Sequence, residues 1–331
     1  MSATKAPYRI GIVGAGNISK LHLEGMQRHP GRVTAVALCD PDAQTLAARA
    51  GEYEIGKTFS SVAGMIAQGG VDAAIVCTPT HIRRPVVAPL LEAGIPVLCE
   101  KPLAETYAEA REIAEIARAT GTRMAVNQNF RRHFAFALAR EVLAAGRLGK
   151  PLQVAQVVQC LRHDKGWRLE RKRYVMAVMS IHWFDGYRFM LDDEADSVYC
   201  RSVNSPATEG GEDTAVSVVM QFRKGAIVSL SESFSSYAQI HGCGVDCEAG
   251  GLKLEYQKML EIRASGEKIE HANPYDKAEA TYWVLDDLLR AEEENREPEV
   301  SVHDNVNSMR ILEAAYRSAA ENRVVKTEEI S

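Results

Sequence analysis

One stretch of this chain has the residue types and spacing to hold a nucleotide: Gly14-Ala15-Gly16-Asn17-Ile18-Ser19, a Gly-x-Gly-x-x-Ser turn between an apolar run and a helical pattern. The first glycine permits a tight turn. The second carries no Cβ, so backbone N–H groups can approach a pyrophosphate at the N-terminus of the following helix. Serine in third place is small enough for close helix–strand packing. Asp40 ends the next apolar run, 24 residues after Gly16, where a carboxylate can accept both ribose hydroxyls of an adenosine. A 2′-phosphate there would meet like charge, worth roughly 4 kcal/mol per pair at ~4 Å and an effective dielectric of ~20. About 1.4 kcal/mol already gives tenfold discrimination. The expected cofactor is NAD rather than NADP, held by Gly14, Gly16, Asn17, Ile18 and Asp40. His241, Cys243 and Cys247 are soft ligands close in sequence, but no fourth accompanies them, so no metal is expected.

Positioning these groups falls to two kinds of element. Over the first ~130 residues, short β-branched runs alternate with helical patterns, the signature of βαβ units and a parallel sheet. Strands are expected at Arg9–Val13, Val33–Cys39, Lys57–Phe59, Ala73–Cys77, Pro96–Cys99 and Arg123–Val126. Helices are expected at 18–28, 42–50, 83–92 and 106–120, the last opened by a Thr106-x-x-Glu109 capping box. After Gly146 the pattern changes to longer strands at Leu152–Cys160, Asp213–Phe222, Ala226–Ser233 and Leu252–Tyr256. The Lys224-Gly225 turn makes the middle two an antiparallel pair. Two helices, 277–295 and 303–322, close the chain. The expected fold is α/β: a doubly wound Rossmann sheet over 1–128, binding NAD, and an α+β domain over 129–331 with an open, mainly antiparallel sheet for substrate and self-association.

Several further motifs resemble the Gfo/Idh/MocA oxidoreductases, the glucose–fructose oxidoreductase and inositol dehydrogenase group. They are Gly11-Ile12-Val13-Gly14-Ala15-Gly16 with His22, Cys77-Thr78-Pro79-Thr80-His81, Glu100-Lys101-Pro102 and Asn129-Phe130-Arg131-Arg132. Trp167-Arg168-Leu169, His182-Trp183-Phe184-Asp185 and the run Ile311–Ala319 extend the resemblance over nearly the whole chain. It implies that Lys101 lies beside the nicotinamide and hydrogen-bonds the reacting oxygen, and that a cis peptide precedes Pro102. It also implies that His182 is the general base, a task that an imidazole's ordinary pKa of about 6.5 suits. Thr78, Pro79, His81 and Glu100 join the cofactor residues. Asn129, Arg131, Trp167, Arg168 and Asp185 join Lys101 and His182 at the substrate; helical spacing puts Asp185 on the face of His182, where it would orient the imidazole or bind a substrate hydroxyl. The sequence departs from the family in one place: Val178 stands where an acidic residue often precedes the histidine by four.

Composition bounds what remains. A net charge of −5 over 331 residues argues against a nucleic-acid or anionic-membrane surface. The apolar stretch Val175–Leu191 is interrupted by Ser180, His182, Asp185 and Arg188, so no membrane span is expected. Seven scattered cysteines and no apolar leader point to the cytoplasm. The activity these readings imply is hydride removal from an alcohol carbon of a sugar, cyclitol or related polyol, including C1 of a pentose or of a branched pentose such as apiose, giving a lactone. The alternatives are a keto-sugar or imine reductase working in reverse, and a nucleotide-sensing regulator on the same fold. A homodimer or homotetramer through the C-terminal sheet is expected.

Overall fold

The computed structural model describes residues 7–164, 172–205 and 211–331. The early apolar runs become β1 (Tyr8–Val13), β2 (Val33–Cys39), β3 (Lys57–Phe59), β4 (Ala73–Val76), β5 (Val97–Cys99) and β6 (Met124–Val126). Between them lie α1 (Asn17–Gln27), α2 (Ala43–Glu52), α3 (Val62–Gln68), α4 (Arg83–Glu92) and α5 (Tyr107–Thr120). The strands form one parallel sheet in the order β3-β2-β1-β4-β5-β6. All the carboxyl ends therefore share one edge, and the order reverses between β1 and β4, where such sheets bind ligands. β4 and β5 are buried along their whole length, as coverage on both faces requires. Thr106 caps α5 by accepting from the Glu109 N–H at 3.2 Å, whereas the Glu109 carboxylate reaches the N–H of Glu105, one residue earlier than a standard capping box. α3 is not among the expected helices: seven residues are too few to display a 3.6-residue period.

After β6 come α6 (Phe130–His133), α7 (Phe136–Ala144), β7 (Pro151–Gln159), a π-helical turn (Met176–Ser180) leading into α8 (Ile181–Leu191), β8 (Ala195–Val203), β9 (Ala215–Phe222) and β10 (Ile227–Ser233). β11 (His241–Cys247), β12 (Gly250–Leu254), β13 (Lys258–Arg263) and β14 (Lys268–Ala272) follow, then α9 (Lys277–Glu294), α10 (Val302–Glu321) and β15 (Val325–Lys326). Nine strands lie in the order β14-β13-β12-β11-β7-β10-β9-β8-β15. β7 and β10 run parallel; the expected β9–β10 pairing is antiparallel, as are the others. Alternation sends Val216, Val218, Met220 and Phe222 of β9 and Val228, Leu230 and Glu232 of β10 to the covered face.

The chain divides into two compact units, Met1–Asn129 with Asp276–Val306, and Phe130–Tyr275 with Asn307–Ser331. This differs from a single cut after residue 128. Tyr282, Val284, Leu285, Leu288 and Leu289 of α9 join Leu23, Ile75 and Leu98 in the core of the first unit. Helical periodicity shows which face of α9 is apolar, but not which sheet receives it. Among the described residues no helix is long and apolar enough to cross a membrane.

Candidate active site

In the first unit the glycine turn leaves β1 with Gly14 at φ +96°, and a Cβ there would approach the Cys77 carbonyl carbon to 3.0 Å. Only glycine meets both conditions without strain. Gly16 precedes α1, which has no side-chain cap, and a Cβ built on Gly16 meets nothing within 4 Å. Asn17 and Ile18 supply first-turn N–H groups, which have no partner within the helix. Ser19 is fully buried and its hydroxyl donates to the Gly16 carbonyl at 2.7 Å. The Asp40 carboxylate accepts from the Ala15 N–H at 2.8 Å and the Asp42 N–H at 2.9 Å, which fixes it against the turn. A carboxylate has about four acceptor positions, so capacity for ribose hydroxyls remains. From α2, Arg49 donates to the carbonyls of Ala15 at 3.2 Å and Gly16 at 3.4 Å, which braces the turn. Sequence reasoning missed Arg49, because an arginine in an Ala-rich helix reads as a solvated charge.

The neighbouring loops come from β4 and β5. Thr78 is buried, and its Oγ1 has no hydrogen-bond partner among the described residues. Pro79 is half-buried, and His81 is exposed on a 3-10 turn. Arg83, also missed, is 2% exposed. Its guanidinium donates to the Thr78 carbonyl at 2.7 Å and to the Pro102 carbonyl, lashing the two loops together. The Lys101–Pro102 peptide is cis, as the resemblance implies, and Lys101 is half-buried.

Glu100, by contrast, turns inward. Its Oε1 lies 2.8 Å from His22 Nε2 and accepts from Asn127 Nδ2 at 2.7 Å. Burial pushes this carboxyl up, but the hydrogen bond and charge of His22, Lys101 and Asn127 outweigh it and hold it at about 2. Through His22 it ties α1 to the end of β5. Asn129 is also buried, and its Nδ2 donates to Thr281 Oγ1 of α9 at 2.8 Å.

In the second unit His182 is 5% exposed, and its ring stacks on Phe130 with centroids 4.1 Å apart and planes 9° from parallel. Phe130 meets Trp183 edge-on at 5.1 Å. Asp185 does not pair with His182. Its oxygens accept from Arg131 at 2.7 and 2.9 Å and from Ser308 Oγ at 3.0 Å, with Arg188 at 3.8 Å. Asp185 is 1% and Arg131 3% exposed, so this buried pair fastens α6 to α8. Trp167 and Arg168 lie outside the described residues. Val178 sits half-buried in the π-helical turn. Glu232, another residue the sequence reading missed, accepts from Trp183 Nε1 at 3.0 Å and from Ser180 Oγ. Cys243 and Cys247, four residues apart on one strand, are separated by about 13 Å at ~3.3 Å per residue, too far to share an ion. No group of three or more His, Cys, Asp or Glu among the described residues could hold a metal ion.

The fold and the glycine turn define a nucleotide-dependent oxidoreductase of the Rossmann class. Residues 8–128 match the model of an oxidoreductase family with an NAD-binding Rossmann fold, and residues 136–253 match the GFO/IDH/MocA C-terminal domain. The chain belongs to the Gfo/Idh/MocA oxidoreductase family, and is an NAD-dependent oxidoreductase. It is 31% identical to the 1,5-anhydro-D-fructose reductase of Ensifer adhaerens over 97% of this chain and 98% of that one. It is 26% identical to an inositol 2-dehydrogenase of Rhizobium meliloti over 96% and 98%. An Agrobacterium radiobacter oxidoreductase, solved with NAD+, L-tartaric acid and magnesium, shares the fold at a TM-score of 0.91 and 18% identity, over 98% of this chain and all of that one. The open space beside Gly16, the uncapped α1 and the unpartnered Thr78 hydroxyl fit NAD.

Proposed function

We propose that this chain oxidises an alcohol carbon of a sugar, cyclitol or related polyol, with Lys101 stabilising the oxygen and His182 taking its proton. The position of Lys101 carries the reading. It is half-buried just past the carboxyl end of β5, on the sheet edge that bears the glycine turn, in a loop braced by Arg83. NAD+ held at that turn, by Gly14, Gly16, Asn17, Ile18, Asp40 and the Thr78-Pro79 and His81 loop, supplies the hydride acceptor. The Lys101 ammonium donates a hydrogen bond to the oxygen as alkoxide character develops on it. The neutral imidazole of His182 accepts the hydroxyl proton, its plane held by the stack on Phe130. With Val178 in the turn before it, no carboxylate from that position assists. Oxidation at C1 of an aldose such as a pentose or apiose gives a lactone, and oxidation of a cyclitol gives a ketone. Trp167 and Arg168 stay in the proposal as substrate contacts.

The name of the 31% identical relative favours a second reading, reduction of a keto-sugar. The same residues then run in reverse: imidazolium gives its proton to the nascent oxygen while Lys101 stabilises it. Initial rates of NADH formation with aldoses, cyclitols and glycosides, and of NADH consumption with keto-sugars, separate the two directions. In the active direction Lys101→Ala and His182→Ala each lower kcat by roughly 10²-fold or more, with NAD affinity little changed. Near-normal turnover in either variant rejects the role of that residue.

Two further points complete the proposal. The protein assembles as a homodimer or homotetramer through the uncovered face of the nine-stranded sheet, where Tyr199, Val203, Val219 and Ile227 are exposed. Its seven cysteines are free and six are buried, which fits the reducing cytoplasm.

A further inference from the structure

Two polar side chains interrupt the apolar face that the nine-stranded sheet turns toward α8. Gln156 of β7 and Glu232 of β10 are 3% and 1% exposed among Val154, Val158, Val228 and Leu230. Both are satisfied by the helix. Tyr187 donates to Gln156 Oε1 at 2.5 Å, while Glu232 receives Trp183 Nε1–H at 3.0 Å and the Ser180 hydroxyl. Residues 180, 183 and 187 are spaced i, i+3, i+7, a single stripe along one side of a helix. Hydrogen bonds along that stripe fix the rotation of α8 about its axis. Because each residue advances about 100°, they also fix the direction of every other side chain on its first turn. His182 lies between the two residues that Glu232 holds.

We propose that Glu232 is a positioning residue for the proton-transfer group: from β10 it clamps the helix at Ser180 and Trp183, on either side of His182, and so sets the imidazole. This rests on the assignment of His182 as the base. Hydrogen-bond chemistry then fixes where a proton on Glu232 sits. Indole N–H only donates, so Oε1 must accept from Trp183, and a carboxyl proton belongs on Oε2, donating to Ser180 Oγ. Ionisation reverses that second bond: the serine hydroxyl turns to donate to Oε2, the sense in which the bond is described above. One of the two clamps therefore depends on protonation.

Burial pushes this carboxyl up to about 8, against the pull of Ser180, Trp183 and the Arg162 guanidinium and with the added push of Asp213. Among the described residues, Cys160, Tyr187 and Tyr256 also feel its charge. At neutral pH the clamp holds its proton, and it reorganises as pH rises through about 8.

Glu232→Gln separates the roles. Its amide oxygen accepts from Trp183 and its NH2 donates to Ser180, mimicking the protonated acid at every pH. With the substrate that the panel selects, wild-type kcat should fall on an alkaline limb near pH 8. Glu232→Gln should keep kcat at pH 7 within about threefold and lack that limb, and Glu232→Leu should lower kcat about tenfold or more at all pH with NAD affinity unchanged. Tryptophan fluorescence without substrate should show a step near pH 8 that Glu232→Gln abolishes, a readout that survives if Glu232→Leu fails to fold. An identical alkaline limb and fluorescence step in Glu232→Gln overturn the proposal. If instead His182→Ala turns over normally, the base assignment itself falls, whatever Glu232 does.

Discussion

Asp40 has two tasks in one carboxylate. It anchors the Ala15 and Asp42 N–H groups and presents its remaining lone pairs where an adenosine ribose would lie. Asp40→Ala should therefore raise the KM for NAD and shrink the NAD/NADP ratio of kcat/KM about tenfold or more, since about 1.4 kcal/mol of lost discrimination suffices. Steady-state kinetics with both cofactors check this, and an unchanged ratio removes Asp40 from the role. Asp40, Gly14 and Gly16 were readable from sequence because a strand–turn–helix step is local and its backbone demands are set by a few residues. Arg83 was not, because Arg83-Arg84-Pro85 looks like a solvated pair until the 3-10 turn before it aims the first guanidinium inward. Glu232 lay between these cases. A period of two along β10 puts it on the same face as Val228 and Leu230, but alternation alone does not say what would satisfy a buried carboxyl there.

Among the elements, α8 shows how spacing can identify a face and still mistake the partner. Asp185 stands on its expected helix, one turn from His182, yet it belongs to an ion pair with Arg131 that Ser308 and Arg188 complete. The competing partners lie 54 and 123 positions away in the chain, beyond the reach of helical periodicity. Asp185→Asn would leave the Arg131 charge buried and poorly paired, so it should destabilise the protein by about 3–5 kcal/mol. Chemical denaturation measures that loss. The folded fraction should retain a KM for substrate close to wild type, whereas a direct substrate contact would show as a raised KM. The strands β11 and β14 went unread for other reasons. Two glycines dilute the pattern of β11, and β14 alternates with charges as an edge strand does.

For the molecule as a whole, the nine-stranded sheet leaves one face bearing Tyr199, Val203, Val219 and Ile227, of which Tyr199 and Val219 stand directly opposite each other. Sedimentation at micromolar concentration should show a dimer or tetramer, and Val219→Lys should shift it toward monomer. A wild-type monomer would remove the sheet from that role. The fold class was legible because six runs alternating with helices admit few arrangements, but the ownership of α9 was not. That ownership governs how the gene can be recombined. A chimaera exchanged at one crossover near residue 130 would give the nucleotide sheet a foreign α9 against Leu23, Ile75 and Leu98. Keeping the whole sheet-and-helix body together takes crossovers near residues 130, 275 and 306, because the two units alternate along the gene and cannot be exchanged by joining halves end to end.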